Sequence, residues 1–186
     1  MEKKEISSKK LAVTVLSLSL LTVMAGAAVA PALGVIERYF AGESQLLIQM
    51  IISVPAIFIV FTNMFFPKMC KVCKSRTLVL IGLILYTVGG CAAGLFSSIY
   101  TVLAARALVG IGVGIVMPMS TGLLAFYFPP DRQATYMGYS SAMNQMGGVI
   151  ATLLSGLLAG ISWRASFLVY LMGLISIILC LIFLPN

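Results

Sequence analysis

There is no histidine in this sequence, and only five acidic residues are spread over its 186 positions. Histidine is the commonest metal ligand and the side chain that ordinarily carries protons near neutral pH, so its absence removes most metal sites and proton shuttles at once. The acidic residues are Glu2, Glu5, Glu37, Glu43 and Asp131, and none lies inside a long apolar run. That excludes paired carboxylates for intramembrane acid–base chemistry, and with no nucleophile–base dyad the sequence reads as non-enzymatic. Cysteine is scarce as well. Cys91 and Cys180 fall in apolar stretches, while Cys70 and Cys73 form a single C-x-x-C among lysines. A structural zinc site needs four ligands, so no metal and no other cofactor is expected, and the pair reads as reduced thiols on a cytoplasmic loop.

Charge of either sign is sparse. Charged residues make up 9% and hydrophobic residues 61%, against about 25% and 45–50% in soluble domains, so most of this surface cannot face water. The net charge of +7 would raise the question of nucleic acid in a soluble protein. Here the lysines flank apolar runs, so they read as topology signals and no nucleic-acid partner is expected. The partner is the lipid bilayer.

What the sequence does have is length of apolar run. About 20 helical residues cross the hydrocarbon, and a helix satisfies its own backbone groups where no water can. After a short segment 1–10, windows of about 19 residues predict a transmembrane domain over 11–184 with six spans at 11–36, 46–66, 77–98, 100–128, 136–160 and 166–184. The expected fold is therefore an all-α membrane protein, a six-helix bundle. Charged and polar residues break the pattern at 37–44, basic residues at 67–76, and two prolines with Asp131 and Arg132 at 129–132.

Cations fix the expected orientation, because cytoplasmic loops retain Lys and Arg. Lys3, Lys4, Lys9 and Lys10 precede the first span, Lys68, Lys71, Lys74 and Arg76 follow the second, and Arg132 follows the fourth. Arg38 and Arg164 alone lie at the opposite ends. Both termini are expected in the cytoplasm and the protein in the cell membrane. Ala28-Val29-Ala30 resembles a signal-peptide cleavage site, but the apolar run is longer than a typical signal core and Pro31 follows directly, so the first span is read as retained.

Arg106 is the remaining cation, about one and a half turns inside the fourth span. A guanidinium cannot shed its charge and is costly in lipid, so it should face protein or water and mark a substrate or coupling pathway. Asn144 and Gln145 in the fifth span, or backbone carbonyls, are its expected partners. Snorkelling toward the headgroups is the bland alternative. If a proton gradient is used, the titrating group is Glu37 or lies outside this chain.

Small residues form rows in the fifth span. Gly148, Thr152, Gly156 and Gly160 recur every four residues beside Gly147, Ala151, Ser155 and Ala159, and Gly110 and Gly114 make a similar step in the fourth. Such rows let helices approach closely, either as static packing or as a moving interface. Met117, Met119, Met137, Met143 and Met146 could line an apolar pocket, although ordinary packing serves equally. Trp163 is expected in the outer aromatic belt.

The stretch from Arg106 through Gly110, Gly112 and Gly114 to Pro118 resembles the fourth-helix motif of the major facilitator superfamily. Phe128-Pro129-Pro130-Asp131-Arg132, Gly138, Gly147-Gly148 and Trp163-Arg164-Ala-Ser-Phe167 follow in that family's order and spacing. Ala30-Pro31-Ala32-Leu33 is similar to its drug-efflux branches. The resemblance implies one six-helix half, the N-terminal one, of a carrier whose small-molecule substrate sits between two halves. The expectation is therefore either a truncated carrier or, second, a half that pairs with another six-helix polypeptide. It implies rocker-type alternating access, spans one and four lining a cavity, spans two and five meeting the other half, and export of small amphiphilic or drug-like molecules. A non-transporting membrane module is the rival from another class. Two places depart from the family pattern. The loop at 67–76 has neither the family's aspartate nor its glycines, with Lys71 and Lys74 in their places and Arg76 standing for a basic member. In the fifth span the antiporter Gly-Pro and glycine pair are replaced by Ala151-Thr152 and Ser155-Gly156.

Overall fold

The computed structural model describes residues 2–184, with side chains from residue 10 onward. The side chains of Lys3, Lys4 and Lys9, and the terminal Pro185-Asn186, lie outside the described residues. Helix α1 (Glu2–Ala27) leads through a 3-10 turn (Ala30–Ala32) into α2 (Leu33–Tyr39), and together they form the first span. Helices α3 (Gln45–Val72), α4 (Ser75–Leu95), α5 (Ile99–Tyr127) and α6 (Pro130–Ala159) are the next four. The sixth joins a 3-10 run (Ala165–Leu171) to α7 (Met172–Phe183). All six are long and apolar enough to cross a bilayer, and the chain is an all-α, multi-pass membrane protein.

Two expected breaks are shorter than the sequence suggests. Helix α3 carries Pro67 inside it and runs on to Val72, so Cys70 and Lys71 are helical and Cys73-Lys74 alone forms the turn. Proline costs a helix one amide, which neighbouring helices and local adjustment can absorb in a membrane protein. Helix α6 begins at Pro130, six residues before the apolar window, because proline at the first helical position loses only an amide that would be unpaired anyway. Asp131 then sits favourably in the first turn. Gln133 Nε2 donates to the carbonyls of Ala125 and Phe128, both at 2.9 Å, closing the end of α5.

The bundle is built around α5, which packs on α4, α3 and α1, while α1 packs on α6 and α4 on the sixth span. In the apolar window of α5, 61% of residues are buried, against 28% in α3 and 22% in α6. Those two spans therefore carry the broadest free faces. Contacts at both ends agree with six antiparallel crossings. Lys10 Nζ lies 5.4 Å from the Phe183 ring and Arg76 donates to the Leu181 carbonyl at 2.6 Å, which brings the starts of spans one and three to the end of span six. At the opposite end, Arg164 donates to Ser97 Oγ at 2.8 Å and to the Tyr39 hydroxyl at 3.3 Å. Trp163 is a correction to the belt expectation. It is buried, with ring centroids of Tyr39 at 5.0 Å and Phe40 at 5.6 Å, because the turn after α6 folds it inward.

Candidate functional site

Arg106 lies two turns inside α5, about 10 Å from its first residue, and is 0% exposed. Snorkelling is thereby replaced by burial, and the charge must be met inside the bundle. In a regular helix the carbonyl of residue i accepts from the amide of residue i+4. For Ile51 that residue is Pro55, which has no amide hydrogen. Arg106 Nε, from the neighbouring helix, donates to the Ile51 carbonyl at 2.8 Å in its place.

A second carbonyl is freed at the end of α1. The amide of Val29 would reach Ala25 in a continuing helix, but the chain tightens into the turn around Pro31 and Val29 donates to Gly26 at 3.3 Å. The Ala25 carbonyl accepts instead from Arg106 Nη2 at 2.9 Å and from the Tyr170 hydroxyl at 2.7 Å. Arg106 Nη1 donates to that same hydroxyl. The guanidinium carbon also lies 5.8 Å from the centre of the Tyr170 ring. All these partners are neutral, so hydrogen bonds and ring electrostatics, without a carboxylate, hold the cation.

Tyr170 is placed by the 3-10 run, in which side chains three apart eclipse. Phe167 and Tyr170 stack accordingly, with 17° between planes and 6.3 Å between centroids. Gly90 of α4 makes the room, since a Cβ there would strike the Tyr170 ring. The Tyr86 ring lies 5.1 Å from that of Tyr170, and its buried hydroxyl has no hydrogen-bond partner.

Asn144 and Gln145 do not join Arg106. Asn144 Oδ1 accepts from Thr22 Oγ1 at 2.7 Å, one rung of a ladder between α1 and α6. Ser19 and Ser140 share a hydrogen bond of 2.6 Å on the same ladder, and Ser155 Oγ donates to the Ala28 carbonyl. The polar residues of α6 are thus engaged by α1, while the arginine's donors are taken by carbonyls and Tyr170. Gln145 turns to the free side, where it lines an open groove of about 410 Å3 with Gly148, Val149, Thr152 and Leu153.

The two small-residue rows of α6 have different surroundings. Gly147, Ala151, Ser155 and Ala159 are buried, and a Cβ on Gly147 would strike the Leu20 carbonyl of α1. Thr152, Gly156 and Gly160 are exposed and Gly148 is half-buried. Gly110 and Gly114 lie within the bundle instead, against Pro55, Phe58 and Thr62 of α3. At the basic end, Lys71 is in the last turn of α3, Lys74 caps α4, and Arg76 reaches Leu181. The methionines do not gather into one pocket: Met119 is buried, Met117, Met137 and Met146 are exposed, and Met143 lines a separate groove beside α1. Among the described residues, no cluster of three or more His, Cys, Asp or Glu side chains could hold a metal ion.

Ala25, Ile51 and Tyr170 were not singled out in the sequence. Pro55 was the available signal, since it announces the Ile51 carbonyl as an acceptor in want of a donor, whereas Pro31 marks only the turn in which α1 tightens.

A bundle of six spans pinned by a buried arginine, with two sparsely covered helices, has the architecture of half a membrane carrier. The sequence profile of the Major Facilitator Superfamily matches residues 15–186, and the chain belongs to that family. It is 23% identical to the riboflavin transporter RibZ of Clostridioides difficile over 141 residues, 75% of this chain and 31% of that protein. It is 30% identical to the quinolone resistance protein NorA of Staphylococcus aureus over 103 residues, 55% of this chain and 26% of NorA. A probable chloroplastic anion transporter of Arabidopsis thaliana shares 37% identity over 62 residues, 33% of this chain and 12% of that protein. The chain thus spans less than a third of the length of these relatives.

Proposed function

We propose that this chain is the N-terminal half of a secondary active carrier that exports small amphiphilic or drug-like molecules by alternating access, and that it acts in the cell membrane without enzymatic chemistry. Both termini face the cytoplasm on this reading, as the lysine-rich ends favour. Family membership supports the transporter reading, and similarity to a quinolone resistance protein favours export. Similarity to a riboflavin transporter favours uptake or facilitated passage as the second reading.

The observation that carries the proposal is the division of α6 into a row that α1 buries and a row that stays largely exposed, touched only at its edge by Val23 and Pro31. Gly148, Thr152, Gly156 and Gly160, beside Gln145, offer a second helical unit a close approach, and the substrate would sit between the two halves. Gln145 serves there as a substrate-facing donor and acceptor. Arg106 acts from behind that surface as a positioning residue for coupling, by tying α1, α3 and the sixth span to α5. Asn144 supports the cavity wall through Thr22.

Substrate flux across the membrane of proteoliposomes tests this directly. The chain co-reconstituted with the C-terminal six-helix half of a related carrier is expected to move a fluorescent cationic dye outward under a proton gradient. Absence of flux in every combination, with stable assembly, would favour a non-transporting module.

A further inference from the structure

On the side of the bundle away from that free row, α1, α6 and the sixth span enclose an apolar groove of about 400 Å3. Its walls include Val13, Leu16 and Leu20 of α1, Met143 of α6, and Met172 and Ile175 of α7. Hydroxyls at its margin are satisfied internally: Ser17 donates to Thr14 at 2.7 Å and Ser176 to the Ser17 carbonyl at 3.5 Å. The walls are therefore almost wholly apolar, with the hydroxyl protons of Ser17 and Ser176 already engaged. From Val13 to Leu21 the groove runs about 12 Å along α1, comparable to one leaflet of a hydrocarbon core about 30 Å thick.

One end of this groove carries charge. Lys10 precedes Val13 by three residues and so shares its face of α1, and its Nζ sits 5.4 Å from the Phe183 ring at the end of α7. Phe183 follows Ser176 by two turns on the same side. Lys10 and Phe183 thus meet beyond Val13 and Ser176, the outermost wall residues of α1 and α7 at that end. In the preceding segment Lys3, Lys4 and Lys9 outnumber Glu2 and Glu5.

We propose that this groove is a binding site for an anionic phospholipid, with one acyl chain along Val13–Leu21 and the headgroup phosphate paired with Lys10. Charge complementarity selects this occupant. A lysine at an apolar groove's membrane boundary meets a phosphate at the depth where the headgroup lies. A zwitterionic lipid carries its own ammonium beside that phosphate and pairs with the lysine more weakly, and an apolar helix leaves it without a counter-ion.

Native mass spectrometry of the full chain in neutral detergent, titrated separately with dioleoylphosphatidylglycerol and dioleoylphosphatidylcholine, decides the matter. The anionic lipid is expected to bind about fivefold more tightly, the factor one basic side chain supplies near such a charge. Lys10→Gln should erase that preference, and Ser17→Phe, which fills the groove, should weaken both lipids. Lys10 is exposed, so Lys10→Gln tests the site even if the groove variant fails to fold. Equal retention of the two lipids by the unaltered chain overturns the proposal. So does a preference that survives Lys10→Gln but disappears in a Lys3→Gln/Lys4→Gln/Lys9→Gln variant, which would mark diffuse attraction to the terminal segment.

Discussion

Arg106 and Tyr170 converge on one acceptor. The hydroxyl of Tyr170 donates to the Ala25 carbonyl at 2.7 Å and Arg106 Nη2 reaches it at 2.9 Å, while Arg106 Nη1 closes the ring by donating to that hydroxyl. Three spans thus meet in a closed hydrogen-bond cycle, and Arg106 Nε adds α3 through Ile51.

Replacing the arginine separates its charge from its geometry. In Arg106→Ala the Ile51 carbonyl is left buried without a donor, at about 1–3 kcal/mol, whereas Ala25 keeps Tyr170. Thermal unfolding in detergent should fall by about 2–4 °C per kcal/mol, with membrane insertion unchanged, and transport by a complete carrier should be lost. Arg106→Lys should recover little, since a point ammonium cannot span Ile51, Ala25 and Tyr170 together. Unchanged flux and melting in the alanine variant would remove the arginine from the mechanism.

Pro55 supplies a sharper test, because its missing amide is the reason the Ile51 carbonyl is free. Pro55→Ala restores a donor to Ile51 from within α3 and sets it in competition with Arg106. In the unaltered background this should be neutral or destabilising. With Arg106→Ala the same substitution should stabilise, by about 1 kcal/mol. A double-mutant cycle on melting temperature checks for that reversal of sign; simple additivity would mean that the proline and the arginine are unrelated.

Two neighbouring tyrosines should respond oppositely to the same change. Tyr170→Phe removes an acceptor from Arg106 and a donor from Ala25, and should cost about 1–3 kcal/mol. Tyr86→Phe deletes a buried hydroxyl that has no partner and keeps the ring beside Tyr170, so it should be neutral or stabilising by up to about 1 kcal/mol. Melting curves of the two variants decide it, and equal losses would mean that Tyr86 has a role at its hydroxyl.

The legible and illegible parts of this molecule divide along the same line as these tests. Apolar runs announce spans, and a cation inside such a run announces Arg106, because both depend only on neighbours in the chain. Helix extensions across Pro67 and back to Pro130 were hidden because a proline marks a break only when nothing nearby absorbs the missing amide. Backbone carbonyls were an expected class of partner for Arg106, and two of its acceptors are carbonyls, but which residues supply them was hidden for a tertiary reason. Ile51, Ala25 and Tyr170 are ordinary residues of three separate spans, and only packing brings them to one guanidinium. Likewise the two rows on α6 look equivalent in sequence, and burial alone tells which one α1 has taken.

That division of rows predicts opposite consequences for bulk. At Gly147 an added Cβ meets backbone of α1, the Leu20 carbonyl, which cannot step aside. Gly147→Leu should therefore lower melting of this chain by several degrees. At Gly156 a Cβ meets Pro31 at an ordinary 3.8 Å and at Gly148 a movable Val23 methyl at 3.1 Å. Gly156→Leu should leave the chain's own melting within about 2 °C of the parent, since exposed substitutions usually change stability by less than ~0.5 kcal/mol. Half-buried Gly148→Leu should cost more than that but less than Gly147→Leu, because the Val23 side chain can shift. In co-purification Gly148→Leu and Gly156→Leu should block association with a second half. Normal association by both would exclude this row as the meeting surface.

Sidedness can be read from a native thiol. Cys70 is exposed at the basic end of α3, whereas Cys180 is buried and Cys91 half-buried within spans. Lys10, Arg76 and the end of α7 share that basic end, so a reagent that finds Cys70 also locates the starts of spans one and three and the end of span six. A membrane-impermeant maleimide should label Cys70 in inside-out vesicles and leave it unmodified in right-side-out ones. Cys70→Ser together with Cys73→Ser should abolish the signal, since the remaining thiols are shielded by packing and lipid. Labelling confined to right-side-out vesicles would put the lysine-rich ends outside the cell, against the tendency of basic loops to stay within, and the outward direction proposed for transport would have to be inverted with them.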